Sequence, residues 1–493
     1  MIAAHLPALQ IVVPLISAPL CALIPSGRVA WALTTLVAWL ALAMAVMLLI
    51  QVSDGGPLSY AMGGWAPPWG IEYRIDRLSA LMLVLVAGIG AVVTPALYHN
   101  VIREVAVDRQ PLFFTAYLLA LAGFLGIVIT GDAFNLYVFL EISSLASYTL
   151  VAMGPDRQAL KAAFQYLILG TIGATFILIG IGLLYMLTGT LNMADLANRL
   201  PELSGLRPVR AAFAFIIIGS AIKLALFPLH IWLPNAYSFA PSVVAAFMAA
   251  TATKVGVYVL VRFVFTVFGV EFSFDVMPLG EILRPLALIA IIAGSLVAIF
   301  QTNLKRMLAY SSIAQIGYIA LGLSFASVTG LIAALVHLLN HAAMKGALFL
   351  VLACVFHRMG AVDLASIRGL GRRMPLTMGA FVVGGMSLVG VPLTVGFISK
   401  WYLILAAIEE GRWLVVVTVV VGSLLALVYV WRVVEAAYFL EPEDGVREVA
   451  EAPLAMLLPT LTLAAACIYF GLHTSVTVDV ARVAALSLLG GFR

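Results

Sequence analysis

Long apolar stretches alternate with short polar, proline-rich and glycine-rich punctuation along the whole chain. Fourteen such stretches can be set out, from Leu6–Ile24 and Val29–Ile50 through to Trp413–Phe439 and Pro453–Leu472. A bilayer span needs roughly 20 apolar residues. A backbone in lipid must satisfy its own polar groups, so the stretches are predicted to be helices. The longest early connection, Gln51–Arg77, carries Gly63-Gly64-Trp65-Ala66-Pro67-Pro68-Trp69-Gly70, which suits an interfacial turn or hairpin. Two stretches are interrupted, one by Phe227-Pro228-Leu229-His230-Ile231-Trp232-Leu233-Pro234 and one by Gly390-Val391-Pro392-Leu393-Thr394-Val395-Gly396. Proline removes a backbone donor and clashes with the preceding turn, so both helices are expected to break within the membrane.

Composition agrees with that pattern. The 493 residues are 63% hydrophobic and 10% charged, where a soluble domain is about a quarter charged. Mean hydropathy is +1.12. The net charge of +4 forms no basic stripe, so nucleic acid is not an expected partner. Cys21, Cys354 and Cys467 are isolated in apolar sequence and offer neither a disulfide framework nor a metal or redox pair. The first stretch has no basic n-region before it and is expected to be a retained span. No Walker loop or dinucleotide fingerprint is present. The expectation is therefore no nucleotide, metal or redox cofactor, with any energy coming from an ion gradient or a partner subunit.

Paired broken helices point to a transporter built from internal repeats. Ser143-Ser144-Leu145-Ala146 resembles Ser311-Ser312-Ile313-Ala314 at an offset of 168, and Pro228-Leu229 matches Pro392-Leu393 at 164. One period holds five stretches, an odd number, so the second copy should enter the membrane upside down. The clusters Arg157/Lys161, Lys305/Arg306 and Arg358/Arg368/Arg372/Arg373 follow odd-numbered stretches, whereas Arg199/Arg207/Arg210 follow an even one. The positive-inside rule then puts both termini outside the cytoplasm.

Seven ionisable residues lie deep in these stretches: Glu141, Lys223, Lys254, His337, His341, Lys345 and Lys400. Left charged and unpaired in hydrocarbon, they would together cost on the order of 20 kcal/mol. They are expected to face the interior and one another. His337, His341 and Lys345 are spaced by four, which drifts about 80° over about 12 Å of helix and makes one vertical stripe. Glu141, Ser144 and Tyr148 share another face. Histidine titrates near neutrality, and a Glu141–Lys223 ion pair that opened and closed would swing the proton affinity of the lysine. The bland readings are a static Glu141–Lys223 pair, a Lys254 that only pairs with a backbone carbonyl at the neighbouring break, a Lys345 that snorkels, a metal on His337/His341 that lacks a third ligand, and prolines that only kink packing helices. His230 belongs either to a relay or to the hydrogen bonding of the broken helix. Gly170–Gly182 and Gly384-Gly385 suit close helix packing.

At these residues the chain resembles the antiporter-like subunits shared by Mrp-type cation/proton antiporters, respiratory complex I and membrane-bound hydrogenases. The resemblance is carried by Asp132-Ala133-Phe134-Asn135 through Glu141, by Lys223–Pro234 with Ala240-Pro241-Ser242 and Thr253-Lys254-Val255-Gly256, by Lys305–Ser312, by His337-Leu338-Leu339-Asn340-His341 with Lys345-Gly346, and by Val391-Pro392 with Gly396–Tyr402. Gly64-Trp65, Thr188–Leu196 and Gly369–Pro375 look most like the D-type subunit of Mrp antiporters. The resemblance implies an all-α integral membrane fold of about 14 transmembrane helices with two inverted five-helix repeats containing broken helices. Residues 1–111 would form an N-terminal three-helix segment, 112–270 the first repeat, 271–440 the second, and 441–493 the last helix and a C-terminal tail. It assigns the seven ionisable residues to a lateral proton path, with Pro228, His230, Pro234 and Pro392 at the broken helices. Asn235-Ala236-Tyr237 departs from relatives that carry an acidic residue there.

The expected function is the proton-translocating subunit of a multi-subunit monovalent cation (Na+)/proton antiporter in a prokaryotic inner membrane. Its partners would be other membrane subunits, protons, Na+ and the bilayer. The alternative is the homologous subunit of a redox-driven pump.

Overall fold

The computed structural model describes residues 2–442 and 449–490; the expected tail beyond residue 490 and residues 443–448 of the last segment lie outside the described residues. The chain is helical almost throughout. Its helices are α1 (Leu6–Leu23), α2 (Gly27–Gly55), α3 (Arg77–Glu104), α4 (Gln110–Ile129), α5 (Ala133–Ala152), α6 (Gln158–Thr188), α7 (Met193–Leu203), α8 (Arg207–Lys223), α9 (Trp232–Phe239) and α10 (Ser242–Val261, prolonged by a π-helical turn, Arg262–Val267). They continue as α11 (Leu279–Ile299), α12 (Leu304–Leu323), α13 (Val328–Met359), α14 (Leu370–Arg373), α15 (Pro375–Val389), α16 (Val395–Glu409), α17 (Trp413–Tyr438), α18 (Leu454–Leu472) and α19 (Ser475–Gly490). The expected hairpin forms from β1 (Leu58–Ala61) and β2 (Glu72–Ile75), antiparallel, with Leu58 opposite Ile75.

Eleven helices among the described residues are long and apolar enough to cross a membrane. The remaining expected stretches fall on α12, which is rich in hydroxyl and amide side chains, and on the pairs α8/α9 and α15/α16. Lipid explains the outer surface. The exposed face of α17 is Leu414, Val417, Val420, Leu424, Leu427 and Trp431, where a water-facing helix would be polar. By contrast α10 is enclosed by protein along its whole length and α13 nearly so, and these two carry four of the seven ionisable residues.

Both breaks lie where proline predicts them. Between α8 and α9 the chain turns through Pro228, with Ala225 at φ +59°. Between α15 and α16 it turns through Pro392, with Gly390 at φ +87° and Leu393 at φ +71°. Pro234 is not part of the break. It is the third residue of α9, in the first turn, where its missing N–H would have no intrahelical partner.

Two backbone clasps give the repeat its register. Ala133 N donates to Leu191 O and Met193 N to Gly131 O, both at 2.8 Å, around Asp132 and Asn192. Leu304 N donates to Val362 O at 2.9 Å and Leu364 N to Thr302 O at 3.1 Å, around Asn303 and Asp363. Asp132 and Asn303 each also cap the helix that follows. The equivalent residues are 171 apart (303 − 132 and 363 − 192). The same shift carries Ser242–Val267 onto Trp413–Tyr438. The sequence matches at 164 and 168 therefore found the repeat but not its register; the Ser-Ser match is displaced by about one helical turn.

The first clasp is tied to the hairpin, since Gly131 N donates to Glu72 O at 2.8 Å and Asn192 Nδ2 to Glu72 Oε2 at 2.7 Å. The second lies beside the start of α10, where Lys305 Nζ donates to Ala240 O at 3.2 Å and Ser242 N to Glu104 at 2.9 Å. Glu72 adjoins the start of α3 and Glu104 is its last residue, so the clasps stand at opposite ends of a helix roughly 40 Å long. Two five-helix units of opposite orientation produce this placement.

Three helices, α7, the short α14 and α19, lay outside the sequence reading. The amphipathic α7 is capped by Asn192, whose Oδ1 accepts from Ala194 N and Asp195 N. The C-terminal residues 475–490 form α19, packed on α3 and α13. Among the expected close-packing glycines, Gly173 faces Gly219 across α6 and α8, with an added Cβ 3.1 Å from Gly219 O, whereas Gly182 faces open space.

Candidate functional site

The first cluster joins α5 and α8. Glu141 is half-buried on α5, and its Oε1 has no hydrogen-bond partner. Lys223 is the last residue of α8, immediately before the break. The expected direct Glu141–Lys223 ion pair does not form. Lys223 Nζ donates to Ser144 Oγ at 2.8 Å and to Tyr148 Oη at 3.5 Å. The reason is local: Ser144 and Tyr148 are the next positions of the same face of α5, and the end of α8 brings the ammonium to their level instead of one turn earlier. Glu141 remains close enough for its charge to act on Lys223. Tyr148 reaches this position because Gly170 faces it from α6; a Cβ there would overlap Tyr148 Oη.

A cavity of about 30 Å³ opens beside Lys223, lined by Ser143, Ser144, Ser147 and Tyr166 on one side and by Ala252, Val255 and Gly256 of α10 on the other. That is room for about one water. Lys254, on the same α10, is 1% exposed. Its Nζ donates to Ala249 O and, at 3.4 Å, to Thr253 Oγ1.

On α13 the stripe forms as spaced. The His337 and His341 rings stack at 6.1 Å with an 18° tilt. His337 Nδ1 pairs with Ser399 Oγ at 2.7 Å and Nε2 with Gln315 Oε1 at 2.9 Å. His341 is fully buried with both ring nitrogens unpartnered. Lys345 Nζ donates to Leu308 O at 2.8 Å and to Ser311 Oγ. Lys254 lies near enough to act electrostatically on His337, His341 and Lys345.

Lys400 ends the series on α16. Its Nζ donates to Leu388 O, Val389 O and Ser423 Oγ, each at 2.9 Å. Leu388 and Val389 are the last residues of α15, so the ammonium sits on the carbonyl end of a broken half-helix, where the helix dipole favours a cation. Among the described residues no carboxylate comes within 4.0 Å of Lys223, Lys254, Lys345 or Lys400. All four are held by hydroxyls and carbonyls. His230 joins neither cluster; it stacks on Phe227 at 5.2 Å inside the break, with Nδ1 unpartnered.

Gln315, Ser399 and Ser423 were not singled out by sequence, although they bind His337 and Lys400 directly. A signal existed for α12. Ser311, Gln315 and Tyr318 are spaced by four and three, a polar stripe on one face of a buried helix.

Residues 130–426 match a transmembrane family model described as NADH:quinone oxidoreductase/Mrp antiporter. The chain is 46% identical over 490 residues to a protein of Desulforudis audaxviator named as the N-type subunit of NADH-quinone oxidoreductase, covering 95% of this chain and 96% of that one. It is 30% identical over 430 residues to an Alkalihalophilus pseudofirmus protein named as the D-type subunit of a Na(+)/H(+) antiporter, covering 87% and 86%. Among solved structures, a chain of the Mrp complex from Dietzia superposes with a TM-score of 0.89 at 27% identity, covering 99% of this chain and 98% of that one. A chain of the membrane-bound sulfane sulfur reductase, an archaeal respiratory membrane complex, gives 0.89 at 33% identity, covering 98% of each. A chain of Thermus thermophilus complex I gives 0.75 at 27% identity, covering 97% and 99%.

Proposed function

The chain belongs to the NADH:quinone oxidoreductase/Mrp antiporter membrane family, and we propose that it moves protons sideways through the membrane along Glu141, Lys223, Lys254, His337, His341, Lys345 and Lys400. The observation that carries this reading is a row of lysines, half-buried Lys223 and buried Lys254, Lys345 and Lys400, held by hydroxyls and carbonyls instead of carboxylates. A lysine locked in a carboxylate pair would keep its proton. One held by neutral dipoles can give it up without leaving an uncompensated anion behind. Glu141 acts on Lys223, and Lys254 and Lys400 act on the α13 stripe, so within each cluster a proton arriving at one site raises the cost of keeping one at the next. The cavity of about 30 Å³ at Lys223 gives a water a place between the first cluster and α10. His337, Gln315 and Ser399 supply exchangeable groups between the α13 stripe and Lys400.

The residues 112–270 and 271–440 act as the two inverted units, each contributing a lysine beside a broken helix. The end bearing Arg157, Lys161, Lys305, Arg306, Arg358, Arg372 and Arg373 faces the cytoplasm by the positive-inside rule. Both termini then lie on the opposite side of a prokaryotic cell membrane.

Within the family, the chain serves as a component of a multi-subunit Na+/proton antiporter. Its likeness to proteins named for Na(+)/H(+) antiporters supports this, as does the superposition on the Mrp complex. A second reading, the same module in a redox-driven complex, is favoured by the 46% identical relative named for NADH-quinone oxidoreductase. Everted vesicles carrying the complete complex separate them. Antiport predicts that Na+ discharges a preformed proton gradient with no electron donor present. A gradient that forms only when a donor is oxidised, and ignores Na+, would establish the second reading.

A further inference from the structure

Tyr318 fills the space between His337 and Lys400. Its ring centroid is 5.5 Å from that of His337, and the Lys400 ammonium stands 4.8 Å from the same centroid, over the ring. The side chain is 2% exposed. Its hydroxyl end reaches the Gly422–Ser423 step of α17. A Cβ on Gly422 would collide with Tyr318 Oη and with Ile291 Cγ2, so only glycine leaves the ring its place. The next residue, Ser423, accepts from Lys400 at 2.9 Å. One step of α17 thus makes room for the ring and helps bind the ammonium above it.

We propose that Tyr318 is a positioning residue for the last transfer of the row, its ring face attracting the Lys400 ammonium alongside the carbonyls of Leu388 and Val389 and setting how firmly Lys400 holds the proton it receives. The inference rests on the proton path proposed above. Its physical basis is the absence of any carboxylate within 4.0 Å of Lys400 among the described residues. The negative potential there comes from carbonyl dipoles and from the aromatic face, and a cation over a desolvated ring is held more strongly than one in water. A tyrosine that merely filled space would serve through its shape alone.

Shape and charge can be separated. Tyr318→Phe is the reference, and fluorinated phenylalanines placed at the same position keep the ring's outline while draining negative charge from its face. In vesicles carrying the complete complex, the alkaline limb of the proton-transport profile should move to lower pH in step with fluorine content. The full series should span roughly one pH unit, a tenfold change in proton concentration, with assembled protein constant. A profile that stays put across the series overturns the inference. Lys400→Ala in the same vesicles keeps the two claims apart. An inactive Lys400→Ala with a flat fluorine series removes the role of Tyr318 alone. Normal transport by Lys400→Ala removes the path and the Tyr318 inference with it.

Discussion

Replacing Arg262 by methionine is expected to destabilise the protein by about 3–5 kcal/mol while leaving every member of the proton row in place. Arg262 Nη1 donates to Asp76 Oδ2 at 2.6 Å and Nη2 to Oδ1 at 2.5 Å, and Nε donates to Tyr258 Oη at 2.9 Å. Asp76 also caps α3 through Ser79 N at 2.9 Å. The pair ties the start of α3 to the far end of the helix that carries Lys254. Removing the guanidinium strands a carboxylate in a site where burial pushes its pKa up and Arg262, helped by Ser79, brings it below the ordinary carboxylate range. The cost is therefore mostly that of the orphaned charge, not of the lost contact. Asp76→Asn combined with Arg262→Met removes the orphan and should recover a large part of the loss. The pH dependence has a definite sign. A carboxylate whose folded pKa is depressed contributes stability above its unfolded value of about 3.9, and the contribution fades as pH falls through the folded value. Arginine does not titrate in this range. The gap between wild type and the double variant should thus be flat from about pH 5 to about pH 9. Thermal unfolding of the purified protein in lipid nanodiscs measures each term. A double variant as unstable as the sum of the single variants would refute the reasoning.

Two further outcomes follow from the site. Glu141→Ala should abolish transport at nearly unchanged assembled protein, because its carboxylate is half-buried and makes no bond that the fold depends on, while Glu141→Asp should keep part of the activity; vesicle assays normalised to immunoblots check this. The chain expressed without partner subunits should not restore salt tolerance to a host lacking its own sodium/proton antiporters, and robust growth in high salt would contradict that.

Much of this fold could be read from hydropathy because lipid leaves the backbone one solution, and proline marks where that solution fails. Pro228 and Pro392 fall in the observed breaks for that reason. The α13 stripe was legible too, since a spacing of four on a continuous helix fixes a face. The Glu141–Lys223 contact was not. Each residue lies on the helix expected of it, but the partner of Lys223 depends on where α8 ends and how its last turn points, which no spacing encodes. Asp76 and Arg262, 186 residues apart, leave no local signal at all. Gln315 was within reach, because Ser311, Gln315 and Tyr318 form a polar stripe, but a neutral amide does not stand out among charged residues. The repeat register was masked by a chance Ser-Ser match one turn away from the residues that the clasps equate.

The central claim is that the seven ionisable residues act as one continuous row. It is tested most directly in its middle, at His341, which is fully buried and makes no hydrogen bond to either ring nitrogen. Proton transport should be measured in vesicles carrying the complete complex with His341→Ala, with Lys254→Ala, and with both. Each variant should assemble and lose transport as completely as a Glu141 or Lys400 variant, because a row cut at the centre serves neither end. Full transport by the double variant would mean that the ionisable residues are separate structural contacts and that no proton passes between the two units.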